Sequence, residues 1–235
     1  MQFVVGCRGL FLFPRPSLYY FYMCGRFSLF APAEAAAKYF GAALSWEFGP
    51  RYNIAPRQVT PVITSINPGI IVGGCWGLPI DFEGGEKEII NVRQESLAEM
   101  PAFFDLVSRS RCLVLADGFY EWKSTGRTKI PYRIERADSQ PFAMAGVFRL
   151  GIVGNVVRPR FAIITQPAAS FVAAIHKRMP VIFDAAEGGK WLRESEPGRL
   201  LSLLRAPEKP LKVFPVSREV NDPARDSAEI VDPAQ

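Results

Sequence analysis

The chain has 235 residues, 49% hydrophobic and 22% charged, a globular composition with room for one large domain or two small ones. No run reaches the roughly 18 uninterrupted apolar residues of a spanning helix, and its 19 glycines and 20 prolines are scattered, so disordered, collagenous and polytopic membrane architectures are excluded. Lys and Arg outnumber Asp and Glu by 28 to 23, a net charge of +5 that leans towards an anionic partner.

Residues 1–22 differ from all that follows. Fourteen are hydrophobic, seven of these aromatic, none is acidic, and Arg8 and Arg15 are the only charges. Arg8, Pro14, Arg15 and Pro16 break the apolar core that a signal peptide needs, and no small-residue cleavage site follows. The segment is read as a non-domain leader, a mis-assigned start or a removable extension, with the domain over 23–235. Its two arginines supply two of the five net positive charges.

Beyond it, the alanine-rich stretch 31–40, with Pro32 at its start and Gly41 after it, predicts a short helix. β-branched and aromatic runs predict strands over 59–66, 70–76, 111–116, 130–135, 142–148 and 161–165, with a last one over 211–216. Helices are predicted over 101–108, 167–175, 185–194 and 198–205. Helices do not alternate regularly with the strands, so the expectation is α+β: a single domain with a largely antiparallel, barrel-like β-sheet core flanked by short helices.

Four cysteines (Cys7, Cys24, Cys75, Cys112) lack metal-ligand spacing, and one histidine, His176, leaves a zinc site short of ligands. No metal or cofactor is expected. Cys75 and Cys112 sit in apolar runs, where a free thiol packs as a small hydrophobe.

Polar residues gather in short islands between apolar runs: Met23-Cys24-Gly25-Arg26-Phe27, Arg51-Tyr52-Asn53-Ile54-Ala55-Pro56, Asn91-Val92-Arg93-Gln94-Glu95-Ser96, Asp117-Gly118-Phe119-Tyr120-Glu121-Trp122 and His176-Lys177-Arg178-Met179-Pro180. Islands at strand ends are where sites are commonly built. Singly each has a bland reading: Cys24 a buried thiol, Asn91 a turn residue, Glu121 a salt-bridge partner, His176 a packing residue, each arginine a solvated charge.

Taken together and in order, these islands resemble the SOS response-associated peptidase family, whose members process abasic sites in DNA. The resemblance spans about residues 23–231 and includes Trp76-Gly77-Leu78 and the closing Pro215-Val216-Ser217-Arg218-Glu219-Val220-Asn221. It implies that Cys24 becomes the first residue once Met23 is removed. Its amine then condenses with the aldehyde of an opened abasic sugar to an imine, and its thiol closes a thiazolidine ring. An α-amine with a pKa near 7.7–8.0 is roughly a tenth to a sixth neutral at pH 7, so it needs little activation.

By the same resemblance, Asn91 holds the sugar or the amine, Glu121 accepts and returns protons, and His176 protonates the ring oxygen as the deoxyribose opens. Arg26, Arg93 and Arg178 match positions that contact DNA phosphates. Asn53, Pro56, Trp76 and Thr165 are expected to line the same groove, Trp76 either stacking on a flanking base or lying in the core. The expected partner is single-stranded DNA containing an abasic site, bound by a monomer that is cytoplasmic and nucleoid-associated on damaged DNA, with no membrane contact. Lys177, where an acidic residue is usual, and Val92, where Ala is usual, depart from the family pattern without removing a reacting group. Two alternatives stay open: a thiol (auto)peptidase using Cys24 with His176 and Asn91, and a non-covalent single-stranded DNA binding module.

Overall fold

Runs rich in β-branched and aromatic residues, cut at short intervals by Gly, Pro, Asn and Asp, leave little room for long helices, and strands hold more of the described residues than helices do. The computed structural model describes residues 24–82, 85–205 and 209–234; residues 1–23, with the expected leader, lie outside the described residues. The first elements are β1 (Arg26–Leu29), α1 (Ala33–Phe40), β2 (Ala43–Leu44), β3 (Arg51–Ile54), β4 (Val59–Thr64), β5 (Asn67–Trp76), β6 (Leu78–Phe82), β7 (Gly85–Ile89) and β8 (Asn91–Arg93). Then come α2 (Gln94–Glu99), α3 (Pro101–Arg109), β9 (Arg111–Ala116), β10 (Gly118–Thr125), β11 (Thr128–Arg136), β12 (Phe142–Val153) and β13 (Val156–Pro167). The chain continues through α4 (Ser170–Ala173), β14 (Arg178–Pro180), β15 (Ile182–Phe183), α5 (Ala185–Arg193), α6 (Pro197–Leu203) and β16 (Leu211–Pro215), and two 3-10 turns follow at Arg218–Asn221 and Ala228–Val231.

Two sheets organise these elements into an α+β single domain dominated by antiparallel pairing. The first has the order β16-β11-β10-β1-β3. The second runs β14-β13-β12-β9-β4-β5-β2; β13 also pairs in parallel with β5 through Arg160↔Cys75 and Phe161↔Trp76, which closes five strands into a barrel. β8 joins β13 in parallel, β15 lies against β12, and β6 with β7 forms a separate hairpin. The two sheets share one core, where Phe27 meets Trp76 (centroids 5.1 Å apart) and Phe119 meets Phe142 (6.5 Å). Burial of such rings is the main favourable term for the fold.

Strand alternation gives the first sheet a second, polar-lined face. Tyr120 packs there with Val216, Val220 and Ile230 of the C-terminal segment. Beneath it Arg133, 1% exposed, donates to Ser28 Oγ (2.6 Å), to Asp117 Oδ1 (3.2 Å) and, through Nε, to Glu135 (3.0 Å). Asp117 also accepts from Ser28 Oγ at 2.6 Å and from the backbone N–H groups of Phe30 and Ala31. The guanidinium lies so close to the strand that a Cβ at Gly118 would sit 2.4 Å from Arg133 Cζ, so this position admits only glycine without rearrangement.

The structure departs from the expected elements chiefly at the polar islands. Residues 51–54 and 118–125 are strands in their own right, not loops at strand ends. Their polar side chains find partners far away in sequence, which local pattern does not reveal. The predicted helix over 167–175 shortens to the single turn Ser170–Ala173, because β13 runs on to Pro167 and pairs there with Arg178. The α2 helix and the β6–β7 hairpin were not predicted.

Candidate active site

The register of β1 against β10, Arg26↔Tyr120 and Phe27↔Phe119, brings the residues just before β1 alongside Glu121. The backbone nitrogen of Cys24 donates to Glu121 Oε1 at 2.7 Å. His176, on the loop between α4 and β14, places Nδ1 3.6 Å from the same oxygen. Three of the four expected catalytic residues thus converge on one carboxylate.

Glu121 is 2% exposed. Burial pushes its carboxyl up to about 8, an effect partly offset by the hydrogen bonds that it accepts from the backbone at Cys24 and Trp122. The Cys24 side chain is buried as well, and burial together with the Glu121 charge pushes its thiol well above its usual range. It is a thiol, not a thiolate, at neutral pH. Cys24 also has φ 39, the left-handed region that an L-residue seldom takes.

His176 is fixed through its backbone, which donates to Val172 O at 3.0 Å, and through its ring. In the neutral form with the proton on Nε2, Nδ1 accepts from the Arg178 backbone N–H at 3.2 Å; once protonated, Nδ1–H faces the Arg178 carbonyl at 3.1 Å and Glu121. Nδ1 therefore has a donor and an acceptor within reach, whichever ring nitrogen carries the proton. Lys177 is exposed.

Asn91 and Arg93 enter through β8, whose register with β13 is Ile163↔Asn91 and Thr165↔Arg93. Val92 between them is buried, so the alternation leaves Arg93 exposed as the N-cap of α2. Arg178 lies next along this edge, since Thr165 also pairs with Pro180. Its guanidinium forks onto the Glu95 carboxylate (2.6 and 2.9 Å) and donates to Thr165 O at 2.6 Å. These hydrogen bonds hold the Glu95 carboxyl below its usual range. Thr165, fully buried, donates to Val92 O at 3.4 Å. Arg93, Arg178 and Thr165 thus gather at one end of β13, and Glu95 joins them. The sequence motif contained Glu95, but its pairing with Arg178 spans 83 positions.

Three expected groove residues stand elsewhere. Trp76 is 0% exposed, packs on Phe27 and donates its indole N–H to Ile90 O at 2.9 Å. It is a core aromatic with no ring face open to a base, which corrects the stacking alternative. Asn53 is also fully buried: Nδ2 donates to the carbonyls of Val220, Asp222 and Arg225, and Oδ1 accepts from Arg26 at 3.0 Å. Arg26 directs its other donors to Val220 O and Asn221 O. Both residues face the protein's own C-terminal segment, not an open groove wall. Pro56 is half-buried in the turn between β3 and β4, followed by Arg57 at φ 71. Trp122, next to Glu121 and half-exposed, was not singled out from the sequence; its indole donates to Asn221 Oδ1 at 2.7 Å. Among the described residues, no group of three or more His, Cys, Asp or Glu is placed to hold a metal, and no helix is long and apolar enough to cross a membrane.

The model of the SOS response associated peptidase (SRAP) family matches residues 23–223, most of the chain. The protein belongs to the SRAP family. Over 225 residues it is 35% identical to the abasic site processing protein YoqW of Bacillus subtilis, covering 89% of this SRAP chain and 99% of that relative. It is 29% identical to the abasic site processing protein YedK of Escherichia coli (78% and 84% covered) and 30% identical to the abasic site processing protein HMCES of Gallus gallus (80% and 67% covered). The SRAP fold seen here also matches a crystal structure from Bacteroides thetaiotaomicron with TM-score 0.76 at 26% identity, covering 90% of this chain and all of that one. Relatives named for abasic site processing thus come from bacteria, a phage and vertebrates.

Proposed function

We propose that this SRAP protein captures abasic sites in single-stranded DNA as a covalent thiazolidine on Cys24, in a chain that starts at that residue. The observation that carries this reading is the 2.7 Å hydrogen bond from the Cys24 nitrogen to Glu121. In a chain beginning at Cys24 that nitrogen is a primary amine. Glu121, whose carboxyl burial pushes up from the ordinary range, is placed to take a proton from that amine and leave it nucleophilic.

The chemistry then needs no cofactor. His176 protonates the ring oxygen as the abasic deoxyribose opens, and the proton released from the C1′ hydroxyl restores it. The amine attacks the C1′ aldehyde to give a carbinolamine, Glu121 returns a proton to its hydroxyl, and water leaves to form the imine. The neutral Cys24 thiol adds across the C=N bond, its sulfur to carbon and its proton to nitrogen, closing the five-membered ring. The balance is one aldehyde plus one aminothiol giving one thiazolidine and one water.

A thiol held protonated by burial suits this last step and opposes a cysteine-peptidase mechanism, which needs a thiolate beside an imidazolium. Arg93, exposed at one end of β13, supplies a phosphate contact, with Arg178 held beside it by Glu95; Asn91, on the strand between Trp76's carbonyl partner Ile90 and Arg93, orients the sugar. The test is incubation of a Cys24-start chain with an abasic single-stranded oligonucleotide, read by denaturing gel and intact mass. A stable adduct one water lighter than the two components supports the reading, and non-covalent binding alone contradicts it.

A further inference from the structure

Arg26 and Asn53 both turn away from any open groove, and the segment that receives them is the C-terminal one. Asn53 donates to three of its carbonyls (Val220 at 3.3 Å, Asp222 at 2.9 Å, Arg225 at 2.7 Å), and Arg26 donates to Val220 O and Asn221 O. From the other side, Asp226 accepts from the backbone N–H groups of Tyr52 (2.6 Å) and Asn53 (2.9 Å) and pairs with Arg51. Asn221 Oδ1 receives the indole of Trp122. Val216, Val220 and Ile230 seal the arrangement against Tyr120, whose hydroxyl donates to Tyr52 O at 2.7 Å.

Every one of these contacts falls on β1, β3 or β10, the three strands that set where Cys24 meets Glu121. β1 is only four residues long and begins two residues after Cys24. Its own ladder is short, and its register with β3 shifts between Phe27 and Leu29. With so few ladder bonds on either edge, such a strand draws part of its position from side-chain fastening.

We propose that residues 216–231 form a latch that positions the reacting end of the chain, with Asn53 and Asp226 as its positioning residues and Arg26 acting through the latch instead of on DNA. This inference rests on the covalent reading above and adds to it a role for a segment that contributes no reacting group. Displacement of the Cys24 amine from Glu121 by about an ångström costs up to about a hundredfold in rate without altering phosphate contacts made elsewhere.

The experiment compares the Cys24-start parent with Asp226→Asn, Asn53→Ala, Asn221→Ala and Arg26→Ala. Three quantities are read: the adduct rate at saturating abasic oligonucleotide, the salt dependence of binding to the undamaged oligonucleotide, and amide exchange of β1. The latch predicts that Asp226→Asn and Asn53→Ala slow the saturating rate by about ten- to a hundredfold, leave the salt slope unchanged and speed β1 exchange. Asn221→Ala, which removes one exposed hydrogen bond and leaves the core intact, shows a smaller slowing in the same direction and keeps the test open if the buried variants do not fold. Parental rates in the variants that fold overturn the latch. So does a salt slope for Arg26→Ala shallower by about 0.7, the signature of a lost phosphate contact. If the parent itself forms no adduct, the functional reading fails, and unchanged β1 exchange in Asp226→Asn and Asn221→Ala then decides against the latch independently.

Discussion

The backbone nitrogen of Cys24 and Oε1 of Glu121 lie 2.7 Å apart across 97 positions of sequence. That single contact joins a residue that precedes the first described strand to a carboxyl buried in the middle of the first sheet. The carboxyl's burial and the register of β1 against β10 are its physical causes.

Glu121→Gln separates two consequences of that burial. Without the group that takes the amine's proton and returns one to the carbinolamine hydroxyl, adduct formation slows by about 10²–10⁴-fold at pH 7. Stability moves the other way. The folded-state pKa of Glu121, about 8, lies above the ordinary carboxyl value of 4.5, so the native state holds its proton more tightly than the unfolded chain. The stability this group contributes is therefore full below about pH 4.5 and is lost as pH rises through 8, by at most roughly 1.4 kcal/mol for each pH unit crossed between those values. Denaturant melts at pH 5 and pH 9 will show Glu121→Gln close to the parent at the lower pH and more stable than it at the higher.

Trp76→Ala tests the assignment of that ring to the core. Removal of a fully buried indole that packs on Phe27 costs about 3–5 kcal/mol in denaturant unfolding. The affinity for single-stranded DNA, measured on the folded fraction, stays that of the parent, whereas loss of a stacked base would weaken it by about 1–3 kcal/mol.

Arg133→Ala leaves Asp117 buried and uncompensated, at a cost of about 3–5 kcal/mol. Gly118→Ala drives a methyl group into the same guanidinium and is destabilising through strain instead. Thermal melts of the two variants and of the double variant distinguish the routes, because with the guanidinium gone Gly118→Ala loses most of its penalty.

Arg93 is exposed at the end of β8, outside the fork that binds Arg178 to Glu95. Arg93→Ala makes the slope of log affinity against log salt shallower by about 0.7 on single-stranded DNA. Fluorescence anisotropy titrations at three or more salt concentrations give that slope directly.

Much of the fold was legible in the sequence. The long apolar runs became β4, β5, β9, β12 and β13, and the alanine-rich stretch became α1, because side-chain period and helix propensity are local properties. The islands at 51–54 and 118–125 were harder: their strands carry Arg, Asn and Glu whose partners lie in the C-terminal segment or just ahead of β1. The convergence of Cys24, Glu121 and His176 followed from the family resemblance, not from spacing. Asn53 and Trp76 show the limit of that route, since a motif records that a residue type is kept in place without telling whether it faces DNA or the core. Asp226 carried no local signal at all; its role is created by the return of the C-terminal segment to β3.

The most direct test of the account is a comparison of two chains of verified intact mass, one starting at Cys24 and one retaining residues 1–23, on the same abasic single-stranded oligonucleotide without a reducing agent. The account predicts a denaturation-stable adduct, one water lighter than its components, from the Cys24-start chain and none from the extended chain or from Cys24→Ala. An adduct of equal yield from either of those two contradicts it.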